Sequence, residues 1–477
     1  MSENESYRMK EGKQKTFDMT KTYPQDNRTE SDGTEGGQTY MRMTENEATG
    51  KDRVWYGMLE FILAPSNLNA AYQRVRSNKG AGGVDKMEVE SLKAYLVKQK
   101  DELVTSIERG KYRPNPVRRV EIPKDNGGKR QLGIPTVVDR VIQQAIAQVL
   151  VPLYEPQFSD HSYGFRPGRN AHQALRKCQQ YITEGYEYAV EMDLEKFFDT
   201  VSHSKLIEVL SRTVKDGRVV SLIHKYLRAG IVMGGHPEPS EEGVPQGGPL
   251  SPLLSNIILN ELDKELEDRG HKFVRYADDM IILCRSKRSA ERTLENIIPF
   301  IERKLFLKVN REKSHISHIR EVKFLGYSFY IKDGKCKLRL HSKSIHKMKA
   351  RIKELTSRSN GWGNDRRKEA LRQFIVGWVN YFKLADMDNL LLRIDEWYRS
   401  RLRMVIWKQW KRIKTRMANL VKLGIILTKA YEWANTRKSY WHTANSYILN
   451  TTITIDLLRK ANYIFLSDYY RKVRVIS

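Results

Sequence analysis

The chain is predicted to be an α+β protein in which short antiparallel strands carry the chemistry and a long helical region follows them. Three observations predict this. Residues 186–194 alternate with a period of two, the signature of a strand. In Phe273-Val-Arg-Tyr-Ala-Asp-Asp-Met-Ile-Ile-Leu-Cys284, two apolar runs flank adjacent acids, which suits a hairpin with Asp278 and Asp279 at its turn. From residue 341 onward the character changes, and residues 391–414 show helical spacing with basic residues between aromatics.

Taken in order, residues 1–50 are polar and lack a sustained apolar period. They hold 7 basic and 10 acidic residues, a net of −3, so the remaining residues carry +30 of the total +27. This leader is expected to be disordered. Order is expected from about Val54, where Trp55, Met58, Leu59, Phe61 and Ile62 cluster. Residues 135–150 are expected to be helical after the first few, with apolar spacing through Val138, Val141, Ile142, Ala145, Ile146 and Val149. In the strand 186–194, Tyr186, Tyr188, Val190, Met192 and Leu194 share one face. Glu187, Ala189, Glu191 and Asp193 share the other, more polar one. After residue 340 there are 29 Lys+Arg against 10 Asp+Glu, a net of +19, and seven of the eight tryptophans. A basic helical region with interleaved aromatics suits a nucleic-acid cradle. Each tryptophan taken singly is better read as core.

A length of 477 residues allows two to four domains, and a formal charge of +27 points to a polyanionic partner, most simply nucleic acid. No apolar run is long enough to span a bilayer, and no signal-peptide core is present at the start. Cys178, Cys284 and Cys336 are odd in number and far apart. They offer neither zinc spacing nor a disulfide framework, which fits a reducing cytoplasm.

The adjacent acids Asp278 and Asp279 are, on their own, equally a solvated acidic turn or a metal site. Hard carboxylate oxygens suit Mg²⁺, which takes one or two of them and completes its shell with water and phosphate. Asp193, near the end of a strand, supplies a candidate partner. Clustered acids repel unless cations compensate them. Because consecutive residues in extended chain point to opposite sides, Asp193 and Asp278 are the firmer ligands and Asp279 is a supporting one.

Asp193-Leu-Glu-Lys-Phe-Phe-Asp199 together with Tyr276-Ala-Asp-Asp279 resembles the palm of reverse transcriptases. Further segments follow in family order. They are Ile122-Pro-Lys124 with Gly127-Gly-Lys-Arg130, Leu132-Gly-Ile-Pro-Thr-Val-Val-Asp139, Tyr163-Gly-Phe-Arg-Pro-Gly-Arg169, Gly243-Val-Pro-Gln-Gly-Gly-Pro-Leu-Ser-Pro252, Asn310-Arg-Glu-Lys313, Phe324-Leu-Gly-Tyr327 and Gly377-Trp-Val-Asn-Tyr-Phe382. More narrowly, the chain resembles the reverse transcriptase/maturases of bacterial group II introns. The resemblance implies a right-hand polymerase with fingers and palm, a helical thumb/maturase region and a short C-terminal DNA-binding segment. It implies a leader over 1–50, an N-terminal extension over 51–95, fingers and palm over 96–335, thumb/maturase over 336–420 and a DNA-binding region over 421–477.

It also implies residue roles. Asp193, Asp278 and Asp279 would be catalytic and would hold Mg²⁺. Phe198 matches the position under the sugar of the incoming nucleotide, where a ring leaves no room for a 2′-OH, so dNTPs would be selected; Phe197 is the core member of the pair. Arg118, Lys124 and Arg130 match finger residues facing the triphosphate. Gln246 lies in a loop close to nucleotide or template, and Lys313 matches a lysine beside the leaving pyrophosphate. Lys79-Gly-Ala-Gly-Gly-Val-Asp85 resembles a glycine-rich loop over the template. His172 and His203 are read as structural. Group II intron RNA, an RNA template with a DNA primer, target DNA and dNTPs are the implied partners. The paired cysteines and histidines of the family's endonuclease are missing, so second-strand cleavage is not expected. Other readings are an RNA-binding splicing factor with a vestigial polymerase site, an RNA-directed RNA polymerase and a defence-associated reverse transcriptase. The intact acids, Phe198 and the maturase-like thumb count against them in turn.

Overall fold

The computed structural model describes residues 57–123, 128–233, 236–238 and 240–476. The leader over 1–50, the onset expected at Val54 and the side chain of Lys124 lie outside the described residues. In chain order the strands are β1 (Val117–Pro123), β2 (Lys129–Ile134), β3 (Tyr188–Met192), β4 (Ile231–Met233), β5 (His236–Glu238), β6 (Lys272–Tyr276), β7 (Asp279–Cys284), β8 (His315–His318), β9 (Tyr327–Lys332) and β10 (Lys335–Leu340). They make three sheets, ordered β2-β1-β4-β5, β6-β7-β3-β8 and β10-β9.

The β6-β7-β3-β8 sheet is antiparallel throughout, and its central strands are apolar on both faces. Val190 and Met192 pack into a cluster with Ile297 and Ile301 of the Lys287–Lys304 helix. Ala189, just before Val190 and on the opposite face of the strand, packs into a second cluster with Cys178, Phe329 and Trp378. The strand is therefore shorter than 186–194, and its expected polar face is polar only at Glu191 and beyond. Glu191 accepts hydrogen bonds from Ser317 Oγ at 2.6 Å and Lys323 N at 3.3 Å.

The helix expected over 135–150 runs Val137–Tyr154 and passes through Pro152. Its start is set by Thr136, whose hydroxyl accepts from Asp139 N at 3.2 Å. The continuous helix expected over 391–414 is instead Asp388–Gln409 followed by Ile413–Lys422. The break has a packing cause. Trp410 meets Trp407 edge-on at 5.8 Å, Arg416 lies 4.6 Å from the Trp407 ring, and Arg416 Nε donates to Trp410 O at 2.9 Å. Spacing alone cannot reveal an aromatic pair that folds the chain back on itself.

Six of the seven C-terminal tryptophans belong to the second cluster or pack against it, Trp407 being 1% exposed. Trp441 is the exception, at 41%. The same cluster joins the helical region to the palm. The carbonyl of Tyr381 lies in the last turn of the Asn364–Phe382 helix. It pairs with His172 Nε2 at 2.7 Å and also accepts from the Tyr327 hydroxyl. Among the described residues no helix is long and apolar enough to cross a membrane. Cys178, Cys284 and Cys336 are free and buried.

Candidate active site

β6 and β7 form the expected hairpin. Tyr276 pairs with Asp279, leaving Ala277 and Asp278 as the turn. Ala277 has φ +57°, a left-handed conformation that costs a residue with a Cβ roughly 1–2 kcal/mol. The turn is pressed from below by Gly164 of the Tyr163-Gly-Phe segment. A Cβ added at Gly164 would stand 2.2 Å from Ala277 N, so only glycine allows this approach.

Asp193 follows the last residue of β3. The ladder ends at Met192 opposite Met280, and the same register sets Asp193 beside Asp279, with Asp278 one residue further along in the turn. The Asp193 backbone is pinned from the other side. Asn310 N donates to Asp193 O at 2.9 Å, and Asp193 N donates to Ser314 Oγ at 3.1 Å. The Asn310 carboxamide accepts from Lys313 N at 3.3 Å and tightens the Asn310-Arg-Glu-Lys turn. That turn delivers Lys313 Nζ to 3.3 Å from Asp193 Oδ2.

The residues fit a divalent ion of the Mg²⁺ type. Asp193 and Asp278 are half-buried and Asp279 is exposed, so all three carboxylates reach solvent. Among the described residues no three metal-ligating side chains close into a cage. A hard divalent cation takes one or two carboxylates and completes its shell with water and phosphate; the cation placed against Asp193 here is the Lys313 ammonium.

Phe197 and Phe198 open a short helix after Lys196, whose φ is +45°. Phe197 is 3% exposed, while Phe198 is half-buried and meets it edge-on at 5.1 Å. The backbone of Phe198 is tied to the Gly243-Val-Pro-Gln-Gly-Gly loop through Val244 N, which donates to Phe198 O at 2.6 Å. Gly243 is at φ +93°, and a Cβ there would lie 2.9 Å from Phe198 O. The same loop reaches the fingers, since Gly133 N of β2 donates to Gln246 O at 2.7 Å. Gln246 is half-buried at this junction, just before the Ser251–Asp268 helix.

His203 secures the loop, its Nε2 lying 2.7 Å from Gly243 O. Burial pushes the imidazole below its ordinary value of 6.5, against a smaller upward pull from the Gly243 carbonyl. The folded-state value thus lies below the unfolded one. Neutral His203 contributes stability that is complete above about pH 6.5 and is lost as pH falls through that value. The melting temperature is therefore expected to drop on acidification from neutral pH. His161, His271 and His341 shift the same way. The measurement is consequently the difference between wild type and His203→Gln, which should shrink below about pH 6.5; a constant difference would refute it.

The β1–β2 hairpin carries two of the finger candidates. The pairs Arg118–Ile134 and Ile122–Arg130 put Arg118 and Arg130 on one face by the period of two. Arg118 Nε donates to Gly82 O at 3.1 Å, so it also holds the glycine-rich loop. Lys124 lies outside the described residues, and of Arg130 only the backbone position is described. The opposite face carries Arg119, which sequence reasoning passed over. Its guanidinium lies 3.8 Å from Asp199, the residue after Phe198.

A second group was also missed. Asn256, Asn260 and Asp263 fall at i, i+4 and i+7 on the Ser251–Asp268 helix, and all three are buried. Asn260 Oδ1 accepts from Ser159 N at 3.1 Å, and Asp263 pairs with Arg275. The signal available was their helical spacing beside Leu253, Ile257 and Leu259, because polar groups buried among apolar ones need partners.

Comparison with known proteins places these elements. Residues 122–329 match the reverse transcriptase (RNA-dependent DNA polymerase) family, and residues 345–424 match the group II intron, maturase-specific domain. Protein YkfC of Escherichia coli strain K12 is 34% identical over 311 residues, covering 57% of this chain and 82% of that protein. Group II intron-encoded protein LtrA of Lactococcus lactis subsp. cremoris is 31% identical over 357 residues, 61% of this chain and 59% of that one. Nuclear intron maturase 2, mitochondrial, of Arabidopsis thaliana is 27% identical over 272 residues, 40% of this chain and 37% of that one. The chain belongs to the group II intron-encoded reverse transcriptases, RNA-directed DNA polymerases joined to a maturase domain.

Proposed function

We propose that this chain extends a DNA primer on an RNA template with dNTPs, and that it binds its group II intron RNA to promote splicing and insertion into target DNA. The observation that carries the polymerase half is the meeting of Asp193 with the Ala277-Asp278-Asp279 turn at the end of one sheet, with Lys313 Nζ 3.3 Å from Asp193. Asp193, Asp278 and, in support, Asp279 would hold Mg²⁺, which when bound supplies the positive charge that attacking and leaving oxygens require. Lys313 is positioned to pass from Asp193 to a departing pyrophosphate. Phe198, held by Val244, would lie against the deoxyribose. Gln246 would meet the nucleotide or template, and Arg118, Lys124 and Arg130 would receive the triphosphate.

The domain plan supporting this reading keeps fingers and palm over 96–335, thumb and maturase over 336–420 and a DNA-binding region over 421–477. The net charge of +19 after residue 340 supports the RNA and DNA partners. We assign the activity to the cytoplasm, in keeping with three buried free thiols. The maturase half is tested by self-splicing of the flanking intron at low Mg²⁺. Added protein should raise the rate and lose that effect as salt is increased; an unchanged rate sinks this half of the proposal.

A further inference from the structure

Arg275 precedes Tyr276 on β6 and is 1% exposed, and Asp263 facing it is 0% exposed. Its Nε donates to Asp263 Oδ1 at 2.7 Å and its Nη2 to Asp263 Oδ2. The third arm goes elsewhere. Nη1 donates to Asn256 Oδ1 and to Ala277 O, each at 2.9 Å. Asn256 in turn donates through Nδ2 to Gly164 O at 2.9 Å, and Gly164 is the residue pressed against the Ala277 amide. The main chain is stitched to the same segment, since Arg275 N donates to His161 O and Tyr163 N donates to Arg275 O, each at 2.9 Å.

A buried ion pair usually adds little net stability, because desolvation offsets the attraction. Stability alone therefore does not account for this one. Its particular feature is where the guanidinium fork ends. Two arms are fixed on Asp263, deep in the Ser251–Asp268 helix, and the third grips the carbonyl of a turn residue held at φ +57°. The local sequence disfavours that conformation, so something outside the turn must hold it. The next residue is Asp278.

We propose that Arg275, anchored by Asp263 and Asn256, is a positioning residue that sets the direction of the Asp278 carboxylate and so tunes divalent-metal affinity and turnover rather than stability. This rests on the polymerase reading for its effect on turnover, but not for its effect on metal binding. A lysine at 275 would keep the charge and lose the fork, because one ammonium cannot reproduce four hydrogen bonds spread over three nitrogens.

The test compares the full-length wild type with Arg275→Lys and with the double variant Arg275→Met/Asp263→Leu, which leaves no orphan charge in the core. Mn²⁺ or Mg²⁺ alone is titrated against each protein, read by the metal-induced shift in melting temperature and by Mn²⁺ electron paramagnetic resonance. Primer extension then gives kcat and the KM for dNTP. Both variants should melt near wild type without metal. Both should bind metal roughly 10–100-fold more weakly and lose kcat by a similar factor, with KM little changed. If the double variant does not fold, Arg275→Lys decides alone. Wild-type metal affinity and kcat in a folded variant overturn the proposal, as does a wild type with no metal response. A wild type that binds metal but makes no DNA refutes the polymerase reading instead, and the metal titration still decides the role of Arg275.

Discussion

Replacing Asp278 with alanine is expected to lower primer extension by about 10³-fold or more while leaving the protein folded, because the metal's stabilisation of transition-state charge amounts to several kcal/mol. The fold should tolerate the change. Asp278 is a half-buried turn residue, and the turn's shape depends on Ala277, Gly164 and Arg275 rather than on its side chain. Removing one of the neighbouring acids also relieves like-charge repulsion, so the metal-free melting temperature should hold or rise. Asp193→Ala should be comparably inactive, and it additionally frees the Lys313 ammonium now 3.3 Å away. Asp279→Ala should lose less if its place is a supporting one. Continued one residue past Met192–Met280, the register points Asp193 toward Asp279, which makes this the more informative variant. Single-turnover incorporation on a primed RNA template, with melting curves as control, reads all three. Asp278→Ala activity within tenfold of wild type would remove Asp278 from the site.

Much of the active-site hairpin was legible because its signal is local. Two apolar runs around adjacent acids point to a hairpin, though the turn falls one residue earlier than expected, at Ala277-Asp278, with Asp279 opening β7; period-two alternation places Asp193 near a strand end. The separation of Phe197 from Phe198 followed from the need for one ring in the core, and Phe197 is the buried one. What could not be read depends on partners distant in the chain. Arg275 sits in an apolar strand, and only the fold brings Asp263 and Asn256 behind it. The contact of Gly164 with Ala277 spans more than a hundred residues, and that of His172 with the Tyr381 carbonyl spans 209. The helix break at Trp410 is set by rings packing against each other, which a hydrophobic period does not encode. In the fingers the choice between Arg118 and Arg119 is a matter of strand phase. A one-residue shift exchanges the faces, and the β1–β2 register puts Arg119 on the face opposite Arg118, where it meets Asp199, a contact that the sequence did not reveal.

Phe198→Ala should relax the choice between dNTPs and rNTPs by about 10–100-fold, the range expected when a steric conflict costing 1–3 kcal/mol is removed. The setting of the ring supports this expectation. It is half-buried rather than core, it is braced edge-on by Phe197, and its backbone carbonyl is fixed by Val244 N at 2.6 Å. A ring supported on one side and tied at its backbone cannot retreat from a 2′-OH. The gain should appear as a lower KM for rNTP, whereas kcat with dNTP should fall only modestly, because the carboxylates are untouched. Phe198→Tyr is the control, since it keeps the ring and should keep the discrimination. Phe197→Ala is the contrasting variant. It empties a site only 3% exposed, so it should lower the melting temperature, by about 3–5 kcal/mol in stability, and reduce both nucleotide activities together. Selectivity unchanged in a folded Phe198→Ala protein would mean that the sugar is sensed elsewhere, and the loop residues Val244 and Gln246 would then be the groups to vary next.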